Sequence, residues 1–461
     1  MEAFESDGLF WLPGQEGSQT AGRISFDPVS GTCLALIGSF DNPSGIDLHN
    51  NRQISTIHGV AGKRYLTLVD CTRSSSRYEF PGFQREDYRA ALMFAGQALL
   101  GSDELKFDRV ALRFNNLHDW VGCSLVSREH EIDSVSGKLL KAALTLTPME
   151  PIEHAADNFT LALSGVWTMS GSQQKPGFTE DFSIQINYDE LVEFSAIQAD
   201  VSALQDLITA TTDSVTVPNE ITLWLPEAEG EGPSRRAVVQ AYAQQSAHSM
   251  LTSSKSGDTL LRLGDIGGLP ALARWLSFVR DRRVVLGLML SSTYSKIYAE
   301  NKFFNAVSAA ETLHRMEFPN ELRPADEYKA FRRMLARHVP KRHRSWLSQQ
   351  LAYSNEPRLR DRLVQLAEYG GLSAVIACDA PLWAKAVTDA RNRMVHHDKG
   401  KGPGASIAEL YWLAESLKIM VLLCLVKFSG FEEGCDEKMR DAPSIEFLAS
   451  RVQGILTAQP S

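Results

Sequence analysis

Near the C-terminal end of this 461-residue chain, Arg391-Asn392-Arg393-Met394-Val395-His396-His397 gathers a fixed cation, an amide and a titratable base within two turns' length. Arginine keeps its charge at any physiological pH and can grip phosphate oxygens with two donors at once. A histidine near its ordinary pKa of ~6.5 can act as base or acid at neutral pH. Asn392 can orient either group or donate to a phosphate. These are the parts needed to cut RNA at its 2′-hydroxyl: a base for the hydroxyl proton, an acid for the leaving 5′-oxygen, and donors around the phosphorane. RNA brings its own nucleophile, so this chemistry asks for no protein nucleophile, no metal and no cofactor.

The bare spacing Arg-x4-His is a weak signal, because two fixed positions recur by chance. It occurs at Arg113–His118, Arg333–His338 and Arg391–His396. The first falls in a β-rich stretch, where a structural histidine is the expectation, and the second falls inside a basic run. The third differs in its context. Asn392 follows the arginine, and Leu382, Ala386, Val387, Ala390 and Met394 precede or share it at helical spacing. After His397 the chain enters Asp398-Lys399-Gly400-Lys401-Gly402-Pro403-Gly404, which cannot continue a helix and offers free amides and two lysines. Its glycines do not match a nucleotide P-loop. In an unbroken helix, five residues at ~100° each would set His396 about 140° from Arg391. The helix must therefore end there, or two motifs must meet across a two-fold dimer.

Two further features bear on the same chemistry. Phe304, Val307 and Glu311 follow helical spacing, which sets a carboxylate on an apolar stripe. Arg391 is a candidate partner for it, and a half-exposed edge position is the competing reading. Asp389 reads as a surface acid. The net charge of −9 disfavours a nucleic-acid partner, yet Phe331 to Gly402 holds 14 Lys/Arg against 6 Asp/Glu, a local +8. Within it Arg332, Arg333, Arg337, Lys341, Arg342 and Arg344 form a run without an acid, which recruits phosphates or is simply a solvated face. Arg393, Lys399 and Lys401 join these as candidate RNA contacts.

The elements that must position such a site divide into two textures. From Gly8 to about Leu225, short runs such as Gly22–Phe26, Cys33–Ile37, Arg64–Val69, Phe107–Phe114, Phe159–Met169 and Phe182–Ile186 alternate with turn signals. These predict a β-rich domain over 1–225, a sandwich or a large curled sheet. Residues 226–295 read as a junction with connecting helices. Beyond it, long helical patterns cover Leu269–Ser291, Tyr298–Phe318, Glu327–Val339, Arg358–Tyr369, Pro381–Val395 and Ile407–Phe428, so an all-α domain is expected over 296–452. The fold class is multidomain α+β, with a sandwich-like N-terminal half followed by a helical bundle.

Hydrophobic content of 44 % and charged content of 22 % are those of a globular protein. The acidic N-terminus lacks the features of a secretory signal, and Ile419–Val426 is too short and too closely flanked by charge to span a bilayer. A cytoplasmic protein with a buried helix at 419–426 is the expectation, with no membrane partner. The scattered cysteines show no zinc-ligand spacing.

The C-terminal residues resemble the HEPN superfamily, whose members carry Arg-x4-6-His, often as Arg-Asn-x-x-x-His, at the end of a helix in a four- or five-helix bundle. Arg391-Asn392-Arg393-Met394-Val395-His396 fits that form in full, and the resemblance covers roughly Tyr298 to Arg451. The N-terminal half, opening Gly8-Leu9-Phe10-Trp11-Leu12-Pro13-Gly14, resembles the β-rich domain of ApeA-type antiphage proteins.

The resemblance implies a metal-independent endoribonuclease toxin of bacterial antiphage, abortive-infection defence, with a composite site between two HEPN domains. Its substrate would be RNA, tRNA among the candidates, its assembly a homodimer or higher homo-oligomer, and its N-terminal domain the receiver of a phage-derived trigger. Arg391, His396 and Asn392 carry over as catalytic residues, with Glu311 as the supporting acid. Arg391-x5-His397 also satisfies the looser motif, so either histidine can hold the catalytic role. Two other readings stay open: a non-catalytic HEPN dimerisation scaffold, and a carbohydrate-binding β-domain using Trp11 and Trp120, with the bundle serving assembly.

Overall fold

The computed structural model describes residues 1–40, 52–78, 81–82, 84–101, 105–172, 174–226, 236–251, 259–395 and 405–458. By its internal contacts the chain divides into two units, Met1–Ser254 with Arg262–Leu276, and Lys255–Leu261 with Ser277–Ser461.

The first unit begins with six antiparallel strands: β1 (Phe4–Trp11), β2 (Thr20–Asp27), β3 (Gly31–Ile37), β4 (Gln53–Ala61), β5 (Arg64–Tyr78) and β6 (Gln84–Gly96). Their burial alternates with the two-residue period of a pleated strand, so that Ile24 and Phe26 of β2, Leu34 and Leu36 of β3, and Leu66 and Leu68 of β5 point inward. The order β6-β3-β2-β1-β4-β5 returns to β6 and closes a barrel, which leaves its strands without free edges there. Closure needs a tight turn between β4 and β5, and Gly62 and Lys63 supply it with φ of 56° and 66°. It also needs close approach of β1 to β4. A Cβ on Gly8 would lie 2.4 Å from the Val60 carbonyl oxygen, so only glycine fits at that seam.

β6 joins the barrel to the rest of the sheet. Along one edge it pairs with β5 over its whole length; along the other, Arg85–Ala90 pair with β3 and Leu92–Gly96 pair with β14 (Val238–Ala243). From β14 the sheet continues through β13 (Pro218–Trp224), β7 (Lys106–Phe114), β12 (Lys175–Glu193), β11 (Phe159–Ser172) and β10 (Ile152–Ala155). Among the described residues, twelve strands thus form one sheet, curled shut at one end and open at the other. Strand β14 comes from the stretch read as a junction. A separate ribbon pairs β8 (Val126–Ile132) with β9 (Leu139–Leu146).

Two helices accompany the strands, α1 (Leu117–Val121) and α2 (Phe194–Thr212). The second was not anticipated. Ile197, Val201, Leu204 and Ile208 form its buried stripe, but Thr209, Thr211 and Thr212 lower its helix propensity. Phe194 packs edge-on against Phe94, which ties α2 to β6.

Helices α3 (Gly268–Val279) and α4 (Arg283–Tyr294) follow, with the division between the units falling inside α3. The second unit continues with α5 (Ala299–Glu317), α6 (Ala325–His338), α7 (Arg344–Gln350), α8 (Leu359–Gly370), α9 (Leu372–Ile376) and α10 (Ala380–Val395). It ends with α11 (Ile407–Phe428), α12 (Cys435–Arg440) and α13 (Pro443–Ala458). Helix α11 is the axis. Every residue from Ser416 to Val426 is buried, as expected of a helix apolar on all sides, and α5, α8 and α13 pack around it. Among the described residues no helix is long and apolar enough to cross a membrane.

Candidate active site

Helix α10 carries the arginine motif, and its buried face explains where that motif ends up. Trp383, Ala384, Ala386, Val387 and Ala390 are buried, with the Trp383 indole donating to Ser416 Oγ at 2.9 Å on α11. The stripe is headed by Trp383; Leu382, assigned to it from spacing, is 55 % exposed. Arg391 follows directly on Ala390 and lies four residues past Val387, so it stands half-buried at the margin of the stripe. Among the described residues its guanidinium has no ion pair and no side-chain hydrogen bond. Asn392 is exposed.

Arg393 behaves oppositely. Its Nη2 pairs with Glu409 Oε1 in the first turn of α11, and the same turn is capped by Ser406 Oγ, which accepts from Glu409 N at 3.1 Å. The C-terminal end of α10 and the N-terminal end of α11 are thereby clamped together, on either side of the segment that holds His396, His397, Lys399 and Lys401. Those four residues lie outside the described residues.

Glu311 does not meet Arg391. Helix α5 packs chiefly on α11 and α4, whereas α10 packs chiefly on α8. The buried face of α5 consists of Phe303, Ala306, Val307, Ala309, Ala310, Leu313 and His314, and Phe304 is 51 % exposed, so a stripe through Phe304 is out of phase. Glu311 is a half-buried edge residue, and its charge acts on Arg362 of α8.

What the apolar face of α5 does bury is His314, a residue that sequence reasoning passed over. Its Nδ1 lies 2.8 Å from Arg362 Nη1 and its Nε2 2.6 Å from Gln365 Oε1, while the ring stacks on Phe318. An arginine can only donate, so Nδ1 accepts and Nε2 carries the proton, donating to Gln365. Burial, together with the positive charges of Arg362 and Arg315, holds the imidazole pKa below its ordinary value, against the pull of Gln365. Arg362 is itself 1 % exposed and donates further to Asn320 Oδ1, Glu356 Oε2 and the Pro357 carbonyl. Both residues sit on apolar stripes at helical spacing, a signal that was available.

The basic run is divided by the structure. Arg332 and Arg333 on α6 and Arg344 on α7 line a cavity of about 750 Å3, together with Arg315 and Lys329. Arg337, Lys341 and Arg342 are exposed and do not line it. The other two Arg-x4-His spacings have structural explanations. Arg113 is paired with Asp181 and Glu220, His118 bonds Glu180, and His338 Nδ1 is 2.9 Å from the Met334 carbonyl of its own helix. Trp11 and Trp120 are buried, which removes them as stacking platforms for sugars.

Within this helical bundle α10 ends on Arg391-Asn392-Arg393-Met394-Val395, and residues 304–435 match the family described as Apea-like HEPN. Residues 5–275 match ApeA N-terminal domain 1, well over half of the sequence, and the chain belongs to the ApeA family. Comparison with curated proteins and with solved structures found no match. HEPN membership implies, in general terms, a nuclease role of the antiphage kind, and HEPN domains commonly dimerise and bind RNA.

Proposed function

We propose that the protein is a metal-independent endoribonuclease of antiphage defence, acting by abortive infection on tRNA or another host RNA. The observation that carries this reading is the contrast between two neighbours. Arg393 is neutralised by Glu409, whereas Arg391, two residues earlier and half-buried, is left without a counter-charge among the described residues. A partly desolvated guanidinium without an anion is suited to receive one, and a phosphodiester is the anion that the adjoining Asn392 and His396 chemistry calls for.

In this reading Arg391 holds the scissile phosphate and Asn392 orients it. A histidine, His396 or His397, takes the 2′-hydroxyl proton as O2′ bonds to phosphorus, and a second acid protonates O5′ as the P–O5′ bond breaks. The products are a 2′,3′-cyclic phosphate and a 5′-hydroxyl. Pairing of two HEPN domains in a homodimer supplies the second acid from the partner motif. Lys399, Lys401, Arg332, Arg333, Arg337, Lys341, Arg342 and Arg344 guide the RNA backbone, Arg393 braces the site through Glu409, Glu311 is an indirect support, and the β-rich half receives the phage-derived trigger.

The test is incubation of wild type, Arg391→Ala and His396→Ala with total tRNA in EDTA, followed by mapping of cut ends. Cleavage by wild type alone, leaving cyclic phosphate ends, supports the reading. Cleavage that EDTA abolishes removes metal independence. No cleavage by the wild type with or without metal, even with phage lysate added, leaves the HEPN scaffold as the better account.

A further inference from the structure

Between α5 and α8 the chain makes an excursion, residues 318–358, whose two helices have no buried residue of their own. Helix α6 turns one face to α7, with Tyr328, Lys329, Arg332 and Arg333 at i, i+1, i+4 and i+5. Helix α7 answers with Arg344, Leu347 and Ser348 at i, i+3 and i+4, and Leu351 follows just past its end. Facing stripes of this kind normally join apolar side chains. Here they surround a cavity of about 750 Å3, within the size range of small-molecule sites.

The charges in this cavity are not balanced by the protein. Five cations line it, Arg315, Lys329, Arg332, Arg333 and Arg344, against Glu321 and Glu356. Glu356 is already shared by Arg315 and the buried Arg362. Among the described residues Lys329, Arg332, Arg333 and Arg344 have no carboxylate within ion-pair distance. Arg332 is nonetheless held in place, donating to Ser348 Oγ at 2.9 Å and to the Ser348 carbonyl at 3.1 Å across the gap. Arg332 is half-buried and Lys329, Arg333 and Arg344 are exposed beside it, so an anion between them gains from all four charges.

We propose that this cavity binds a ligand carrying two or more phosphoryl groups close together. One phosphate engages one or two guanidiniums, so four uncompensated cations match a chain of phosphates better than a lone one. Two sources present that chemistry, a free polyphosphorylated small molecule and consecutive phosphates of an RNA strand. The proposal deepens the RNA-binding part of the function above only in the second case, and it does not depend on cleavage.

The experiment is calorimetric titration of the full-length protein with inorganic tripolyphosphate, with ATP, and with a 2′-O-methyl oligoribonucleotide, which lacks the nucleophile and cannot be cut. The pair Arg332→Ala/Arg333→Ala is compared with Arg337→Ala/Lys341→Ala, which removes two cations outside the cavity. Tripolyphosphate or ATP binding that the first pair weakens about 100-fold or more, and the second by less than about 3-fold, assigns a free ligand. Binding of the oligonucleotide alone, weakened at least ten times more by the first pair than by the second, assigns an RNA strand. No binding of any of the three probes, or similar losses from both pairs, overturns the proposal. Since nothing is cleaved, the nuclease reading stands or falls separately.

Discussion

His314 of α5 and Arg362 of α8 meet inside the helical unit with Nδ1 and Nη1 2.8 Å apart, and neither side chain reaches solvent. A cation is thus buried against a neutral ring, its charge answered by Glu356 and by the field of Glu311.

Such an arrangement is stable only while complete. Arg362→Ala should destabilise the helical unit by about 2–4 kcal/mol, because it leaves His314 Nδ1 and Asn320 Oδ1 without their donor and opens a cavity, while Glu356 keeps Arg315. His314→Ala should cost about 2–4 kcal/mol through the lost bond and the cavity. Urea unfolding, read by hydrogen exchange in α5 and α8, measures both; a loss under 1 kcal/mol for Arg362→Ala would contradict the burial.

The depressed pKa of His314 sets a direction for pH dependence. The unfolded chain takes up a proton near pH 6.5, whereas the folded ring resists it until lower pH. Stability is therefore fully present above about 6.5 and falls as the pH drops from there towards the folded pKa. His314→Gln removes this titration, so its melting temperature should vary less than that of the wild type between pH 7 and 5.

Arg391 and Arg393 should separate function from stability. Arg391 has no ion pair among the described residues, so Arg391→Ala should change unfolding free energy by no more than ~0.5 kcal/mol while cutting cleavage about 100-fold or more. Arg393→Ala should lower stability by about 0.5–1 kcal/mol through loss of the Glu409 pair and reduce cleavage less. The reverse pattern would make Arg391 a structural residue.

The two histidines are distinguished by single substitutions. His396→Ala should reduce cleavage by about 100- to 10,000-fold, the range of a general acid or base, with His397→Ala retaining at least a tenth of wild-type activity. Were His397→Ala the more damaging, the longer spacing would be the working one.

At the barrel seam, Gly8→Ala should destabilise the first unit by about 1–3 kcal/mol, because the new methyl meets the Val60 carbonyl and the Ala61 side chain at 2.4 and 2.7 Å. Thermal unfolding of the variant, followed by near-UV dichroism, tests this; an unchanged transition would mean that β1 and β4 are not so closely apposed.

Much of the helical half was legible because its periodicities are long. Residues 407–428 were read as a helix and form α11 with those bounds, and Pro381–Val395 lies within α10. Phase was harder than existence. A charged or titratable side chain on an apolar stripe marks a special place not at Glu311 but at His314, three residues on, and at Arg362 on α8. In the β half the run Cys33–Ile37 sits inside β3, but nothing local says that β6 pairs with β14, since that partnership joins residues more than half the unit's length apart. The cavity between α6 and α7 was hidden for a related reason: a basic run reads the same whether its side chains face water or each other.

The divided edge of β6 imposes an order on synthesis. The six barrel strands are all present once Gly96 has left the ribosome, but Leu92–Gly96 then offer an unsatisfied row of amides and carbonyls until Val238–Ala243 have been made. At about 5–20 residues per second, that gap lasts on the order of ten seconds. A nascent chain is exposed to mispairing with other strands throughout this interval, so its yield should respond to elongation rate and to chaperones that shield strand edges.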